Sequence, residues 1–128
     1  MFITGCNVSS ENNKIEEIAL EEAKKITSIE GYSLESEIFS ESDILIDDSD
    51  VFDFIKEASI EGGYIQEDLD SMTGNRKVVA YKLKEESKEN MPIMLCLVID
   101  KNKVIGAYLD YDGYYPGIAP INFKEYMK

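Results

Sequence analysis

Between Val78 and Leu109 the apolar residues recur with a period of two, interrupted by two polar connections. In the first run Val79, Tyr81 and Leu83 share one parity, and Val78 and Ala80 share the other. The middle run is apolar at both parities, with Ile93, Leu95, Leu97 and Ile99 set against Met94, Cys96 and Val98. A strand that is apolar on both faces is a central strand covered from both sides. It is too short to cross a bilayer as a helix, which takes about 20 apolar residues. Lys84 to Pro92 forms the first polar connection. Asp100 to Lys103 forms the second, a tight hairpin loop from which Val104 to Leu109 returns.

Upstream the period lengthens. Ile15, Ile18, Ala19, Ala23, Ile26 and Ile29 fall at spacings that line one stripe of a helix. Asn13 and Glu16 have the spacing of a capping box at its start, and Gly31 is placed to end it. A second helix is expected after Asp48, Ser49 or Asp50, with Val51, Phe52, Ile55 and Ala58 on its buried face and Gly62-Gly63 at its end. Tyr32, Leu34 and Ile38 share the parity of a half-buried strand, and Ile44-Leu45-Ile46 reads as an edge strand. The expected fold is α+β, with two helices packed on a small antiparallel meander sheet of three to five strands. Residues 14–128 form its single domain.

Charge narrows the partners. Acidic residues outnumber basic ones 26 to 13, a net charge of −13 in 128 residues. That field repels phosphate backbones and anionic lipid, so neither nucleic acid nor a bare membrane surface is an expected partner. The chain contains no histidine, which removes the histidine-based nucleophile and zinc-ligand arrangements. No metal and no cofactor is expected. Of the two cysteines, Cys96 sits in the central strand as a small hydrophobe. Asp47, Asp48, Asp50 and Asp53 are read as favourable charges at a helix start, and Asp110 to Gly113 as a turn, in preference to calcium loops.

The other cysteine has a different setting. Ile3-Thr4-Gly5-Cys6 resembles a bacterial lipobox, an aliphatic residue and two small ones ahead of the cysteine that receives diacylglycerol. Residues 1–13 then read as a lipobox-like segment and polar tether, with Cys6 as the lipid attachment site. This implies an extracytoplasmic protein touching the membrane only through that lipid. If the motif is accidental, the chain is instead a cytoplasmic acidic inhibitor or DNA mimic. A secreted accessory enzyme acting through carboxylates is a further alternative, but no pair of acids stands out.

Two Gly-Tyr pairs (Gly31-Tyr32 and Gly63-Tyr64), the Phe52 helix, Leu69, and Gly74 leading into VVAYKLKE make up an ordered set of landmarks. LVIDKNKVIG, an apolar strand, charged hairpin and returning Val-Ile-Gly, is the most distinctive of them. Together they resemble a family of small extracytoplasmic domains of unknown function in Gram-positive bacteria, usually anchored by a signal helix or lipid. The likeness covers about residues 26 to 110 and departs at Ala107, where a second glycine is expected. It implies no catalytic residues. A fainter likeness to helix-plus-hairpin domains of secreted peptidase regulators implies an inhibitory or binding role. The expected partner is thus a protein or surface ligand at the envelope, and the function is non-enzymatic recognition. Tyr108, Tyr111, Tyr114 and Tyr115, followed by Pro116 and Gly117, form the candidate binding surface. The competing expectation is that these tyrosines seal the open sheet edge beneath Ile121 to Met127.

Overall fold

The computed structural model describes residues 3–37, 39–44, 49–71, 76–114 and 117–128. The elements run α1 (Ile3–Glu30), β1 (Ser40–Ile44), α2 (Ser49–Glu61), α3 (Gln66–Asp70), β2 (Arg76–Glu86), β3 (Pro92–Asp100), β4 (Lys103–Tyr111) and β5 (Ile118–Ala119). The strands form one antiparallel sheet in the order of the chain, β1-β2-β3-β4-β5. The expected α+β meander is what the chain forms.

Strand parity sorts the core into two halves. Val79, Tyr81, Leu83, Leu95, Leu97, Leu109 and Tyr111 point to one face, where Ala19, Ala23 and Ile26 of α1 cover them. Val78, Cys96, Val98, Ile105 and Tyr108 point to the other, where Ile55 and Ala58 of α2 and Leu69 of α3 cover them. The apolar central strand therefore has a helix layer on each side, as its two apolar parities require.

Each hairpin has a physical cause. Between β3 and β4 the chain reverses on Lys101 (φ +51°) and Asn102 (φ +62°), a two-residue turn with both residues left-handed. Between β2 and β3, buried Ser87 accepts the Glu89 and Met91 N–H groups at 3.3 and 3.2 Å, while Asn90 (φ +63°) takes the left-handed position. β2 consequently extends through Glu86, shortening the expected polar connection to a tight turn.

At the far edge, β5 covers only the end of β4, pairing with Leu109 and Asp110. The next outward-facing residue, Ala107, is satisfied by α2. Its N–H donates to Ser59 Oγ and its carbonyl accepts from the same hydroxyl, both at 3.1 Å. Ser59 is fully buried, so one side-chain hydroxyl replaces a strand partner. This close approach depends on Gly106, where a Cβ would lie 2.7 Å from Ser59 Oγ and 3.1 Å from Leu69 Cδ2. Ile105 is the extra residue of a bulge between the Val98–Gly106 and Ile99–Val104 pairs.

Several expectations are corrected. α1 begins at Ile3, so the residues read as a tether continue the helix and Asn13 is interior to it. Described core contacts of α1 nonetheless include Ile15, Ala19, Leu20, Ala23 and Ile26, the residues that face the sheet. Ile29 is 70% exposed because its angular position falls on the flank of α1. Val51, in the first turn of α2, is likewise exposed, while Ser59 near the other end is buried. The strand expected over Tyr32–Ile38 is reduced to a single bridge, Leu34 with Leu83. Ile38, Leu45 and Ile46 lie outside the described residues.

Two stability outcomes follow from these turns and contacts. Gly106→Ala is expected to lower unfolding free energy by about 1–3 kcal/mol through overpacking against Ser59, read from urea midpoints. Replacing Lys101→Asn together with Asn102→Gly is expected to raise it by about 1 kcal/mol, because that pair adopts the left-handed turn with less strain. An unchanged midpoint in either case contradicts the corresponding account.

Candidate functional site

The four candidate tyrosines do not share a surface. β4 runs through Tyr111, so Tyr108 and Tyr111 differ by an odd number of strand positions and face opposite sides of the sheet. Tyr108 sits opposite Cys96 beneath α2 and is 7% exposed. Tyr111 sits opposite Ile93 on the α1 side and is 1% exposed. Its ring is met edge-on by Tyr114 (5.9 Å), Phe123 (6.2 Å) and Tyr126 (5.4 Å), and Tyr114 stacks on Tyr126 at 4.1 Å. The Tyr111 hydroxyl donates to the Phe123 carbonyl at 2.6 Å. Tyr111 and Tyr114 thus pack under the C-terminal segment, as the competing expectation has it. Tyr115 lies outside the described residues.

Of the remaining chemistry-bearing groups, Cys96, Tyr108 and Asp110 lie together on the α2 side of the sheet, the thiol hydrogen-bonded with the Tyr108 phenol. Cys96 is buried behind α2, and desolvation pushes its thiol up to about 12, with Asp110 adding repulsion. A thiol so placed is not a nucleophile. Cys6 falls within α1 at a position whose side chain is not described. Asp47 and Asp48 lie outside the described residues, and Asp53 is exposed on α2. Burial and then the neighbouring Asp112 raise the carboxyl of Asp110 above its ordinary range. Among the described residues no group of three acidic or cysteine side chains converges as a metal site. Nor is any described helix long and apolar enough to cross a membrane.

What the fold does bring together is the ends of its two long helices. Both stop in the same way. Gly31 (φ +83°) and Tyr32 both donate N–H groups to Thr27 O at 2.9 Å, closing α1. Gly63 (φ +102°) donates to Ile60 O and Tyr64 to Ser59 O, each at 3.0 Å, closing α2. Each tyrosine then reaches across the structure. The Tyr32 hydroxyl donates to Ile121 O at 2.6 Å, and the Tyr64 hydroxyl donates to Glu22 Oε2 at 2.5 Å.

A cleft of about 230 Å³ opens between these ends. Glu22, Lys25, Ile26, Ile29 and Glu30 of α1 form one wall, Gly62 to Tyr64 the other, and Ile121 contributes from the C-terminal segment. A shallower depression of about 350 Å³ shares Glu22 and Lys25 and reaches the β3–β4 hairpin at Asn102 to Val104. Burial, reinforced by the hydrogen bond to Glu22, raises the Tyr64 phenol far above its ordinary range. At the α1 terminus, Lys124 Nζ donates to Glu30 O at 2.8 Å and lies 3.6 Å from Glu30 Oε1. The same ammonium lies 5.4 Å from the centroid of the Tyr32 ring.

Sequence reasoning passed over Glu22, Tyr64 and Lys124. The available signal was the repeated helix–Gly–Tyr order, which implied two matching helix ends. Comparison of the chain with protein-family models, with curated proteins and with solved structures finds no match.

The buried thiol and phenols set an alkaline limit. Cys96, Tyr81 and Tyr111 are all raised to about 12 in the folded chain, chiefly by desolvation. The unfolded chain ionises these groups near pH 8.5–10, so it releases protons while the folded state still holds them. Their stabilisation is complete below that range and is lost as pH rises toward 12. Urea midpoints are expected to fall steadily between pH 9 and 11.5, and Cys96→Val should flatten part of the slope. A midpoint independent of pH across that interval contradicts the burial of these groups.

Proposed function

We propose that the protein is a non-enzymatic recognition domain of the bacterial cell envelope, held at the membrane by a lipid on Cys6. Its partner is a protein or surface ligand exposed at the envelope. The observation that carries this reading is the Ile3-Thr4-Gly5-Cys6 sequence, which stands twelve positions before Ile15, counting from Ile3. Ile15, Ala19, Ala23 and Ile26 hold α1 to the sheet, so an acyl chain at Cys6 leaves those described contacts intact. The excess of acids, 26 against 13, supports a body that stands away from anionic lipid and meets basic or neutral partners. Cys96, Tyr108 and Asp110 do lie together, but the thiol and phenol are buried beneath α2 and held protonated by desolvation, which supports recognition over catalysis, since a buried neutral thiol is not a nucleophile.

The test is the intact mass of the native protein after membrane fractionation, in a strain carrying the whole upstream reading frame. A diacylglycerol-modified terminus at Cys6 in the membrane fraction is expected. An unmodified chain in the soluble fraction overturns the envelope reading and makes a cytoplasmic acidic binder the leading one.

A further inference from the structure

We propose that the cleft between the two helix ends receives a primary ammonium on an aliphatic stem, presented as a lysine side chain by a partner protein. The inference deepens the recognition role proposed above and rests on it. Three features of the cleft converge on this chemistry.

The first is electrostatic. α1 and α2 both end at the cleft, and the aligned peptide dipoles of a helix give its C-terminus partial negative charge that favours a cation. Glu22 adds a carboxylate whose position is set by the Tyr64 hydroxyl, whereas the Glu30 carboxylate at the α1 end is already paired with Lys124. The second feature is apolar. Ile26 and Ile121 are buried beside the cleft, while Ile29 stands 70% exposed on its rim. Such surface suits the methylenes of a lysine stem, which prefer apolar contact while the head remains paired. The third is a precedent within the chain: the ammonium of Lys124 is already seated on the α1 terminus. The same helix end, whose Glu30 also lines the cleft, thus already accepts a lysine head.

Lys25 opposes the incoming charge, because it lines the same cleft. This gives the proposal a sign that a general attraction of cations to an acidic protein does not have. Removing Lys25 must tighten binding, and removing the charge of Glu22 must weaken it.

The experiment titrates the isotopically labelled full chain with a capped peptide of alternating alanine and lysine, and with the same peptide acetylated on every lysine amine. Amide shifts are expected at residues 22–30, 62–64 and 121 with the unmodified peptide, and binding about ten-fold weaker after acetylation. Glu22→Gln is expected to weaken binding about ten-fold and Lys25→Gln to tighten it several-fold. Ile29→Ser, at an exposed position where folding is not at stake, is expected to weaken it several-fold. Equal binding of both peptides, shifts spread over the acidic surface, or no shift overturns the proposal. Spermidine binding as tightly as the peptide, at the same residues, overturns the commitment to a protein partner. Lipid found on Cys6 together with any of these failures sinks the cleft and leaves the envelope reading. A soluble, unmodified chain that binds the peptide does the reverse.

Discussion

The structure depends on a strand that has no polar face. Leu95, Leu97 and Ile99 of β3 are buried on one side, and Cys96 and Val98 on the other, so neither side of the sheet can be left to water. One long helix covers one side and a pair of shorter helices covers the other. The division of the core into an α1 half and an α2–α3 half is the arithmetic of strand parity, extended across β2 and β4 by register. A substitution in the middle of β3 is therefore felt in one core only, according to whether its position is odd or even.

Covering both faces brings α2 close to an edge the sheet does not complete. β5 is two residues long, and beyond it the outward backbone groups of Ala107 need a partner. Ser59 supplies one from α2, and Gly106 supplies the clearance. The C-terminal segment is held by the same logic. Its irregular backbone offers carbonyls with no strand to receive them, and tyrosine hydroxyls donate to two of these, Tyr32 to Ile121 and Tyr111 to Phe123. Such bonds contribute about 1 kcal/mol each while made, and more is lost if a buried carbonyl is stranded. Tyr81 shows the opposite case, its buried hydroxyl lacking a partner among the described residues.

The sheet was legible because its information is local. Alternation, two polar connections and a doubly apolar middle run suffice to order β2, β3 and β4 and to place helices on both sides. The helix boundaries were less so. Asn13 and Glu16 carry a capping signal, yet α1 continues through them to Ile3, since a cap marks a permitted start and not an obligatory one. The tyrosines admitted two readings, a surface and an edge seal, for a different reason. Treating residues 108–115 as one irregular stretch conceals that β4 runs to Tyr111, and only strand parity separates Tyr108 from Tyr111. Of the cleft, only the two matching helix ends were legible, in the repeated helix–Gly–Tyr order. Glu22, Tyr64 and Ile121 meet only because two helix ends and the C-terminal segment converge, and no spacing in the chain records that meeting.

The cleft is a consequence of this architecture and not an ornament on it. Two helix layers that cover opposite faces of one sheet cannot also pack tightly against each other, except where a chain turns around the sheet's edge. The link after α2 reaches that edge, where Tyr64 packs with the α1-side core and bonds Glu22 before α3 returns to the α2 side. Both helices must end there, and their ends bring partial negative charge into one place without any acidic residue having to be buried. The protein's net charge of −13 attracts cations without discriminating among them. Discrimination requires a place where charge, an apolar wall and a fixed carboxylate coincide, and Tyr64 fixes Glu22 at such a place. Lys25 at the same rim offsets part of the attraction, so geometry at the cleft has to select what the overall charge merely gathers.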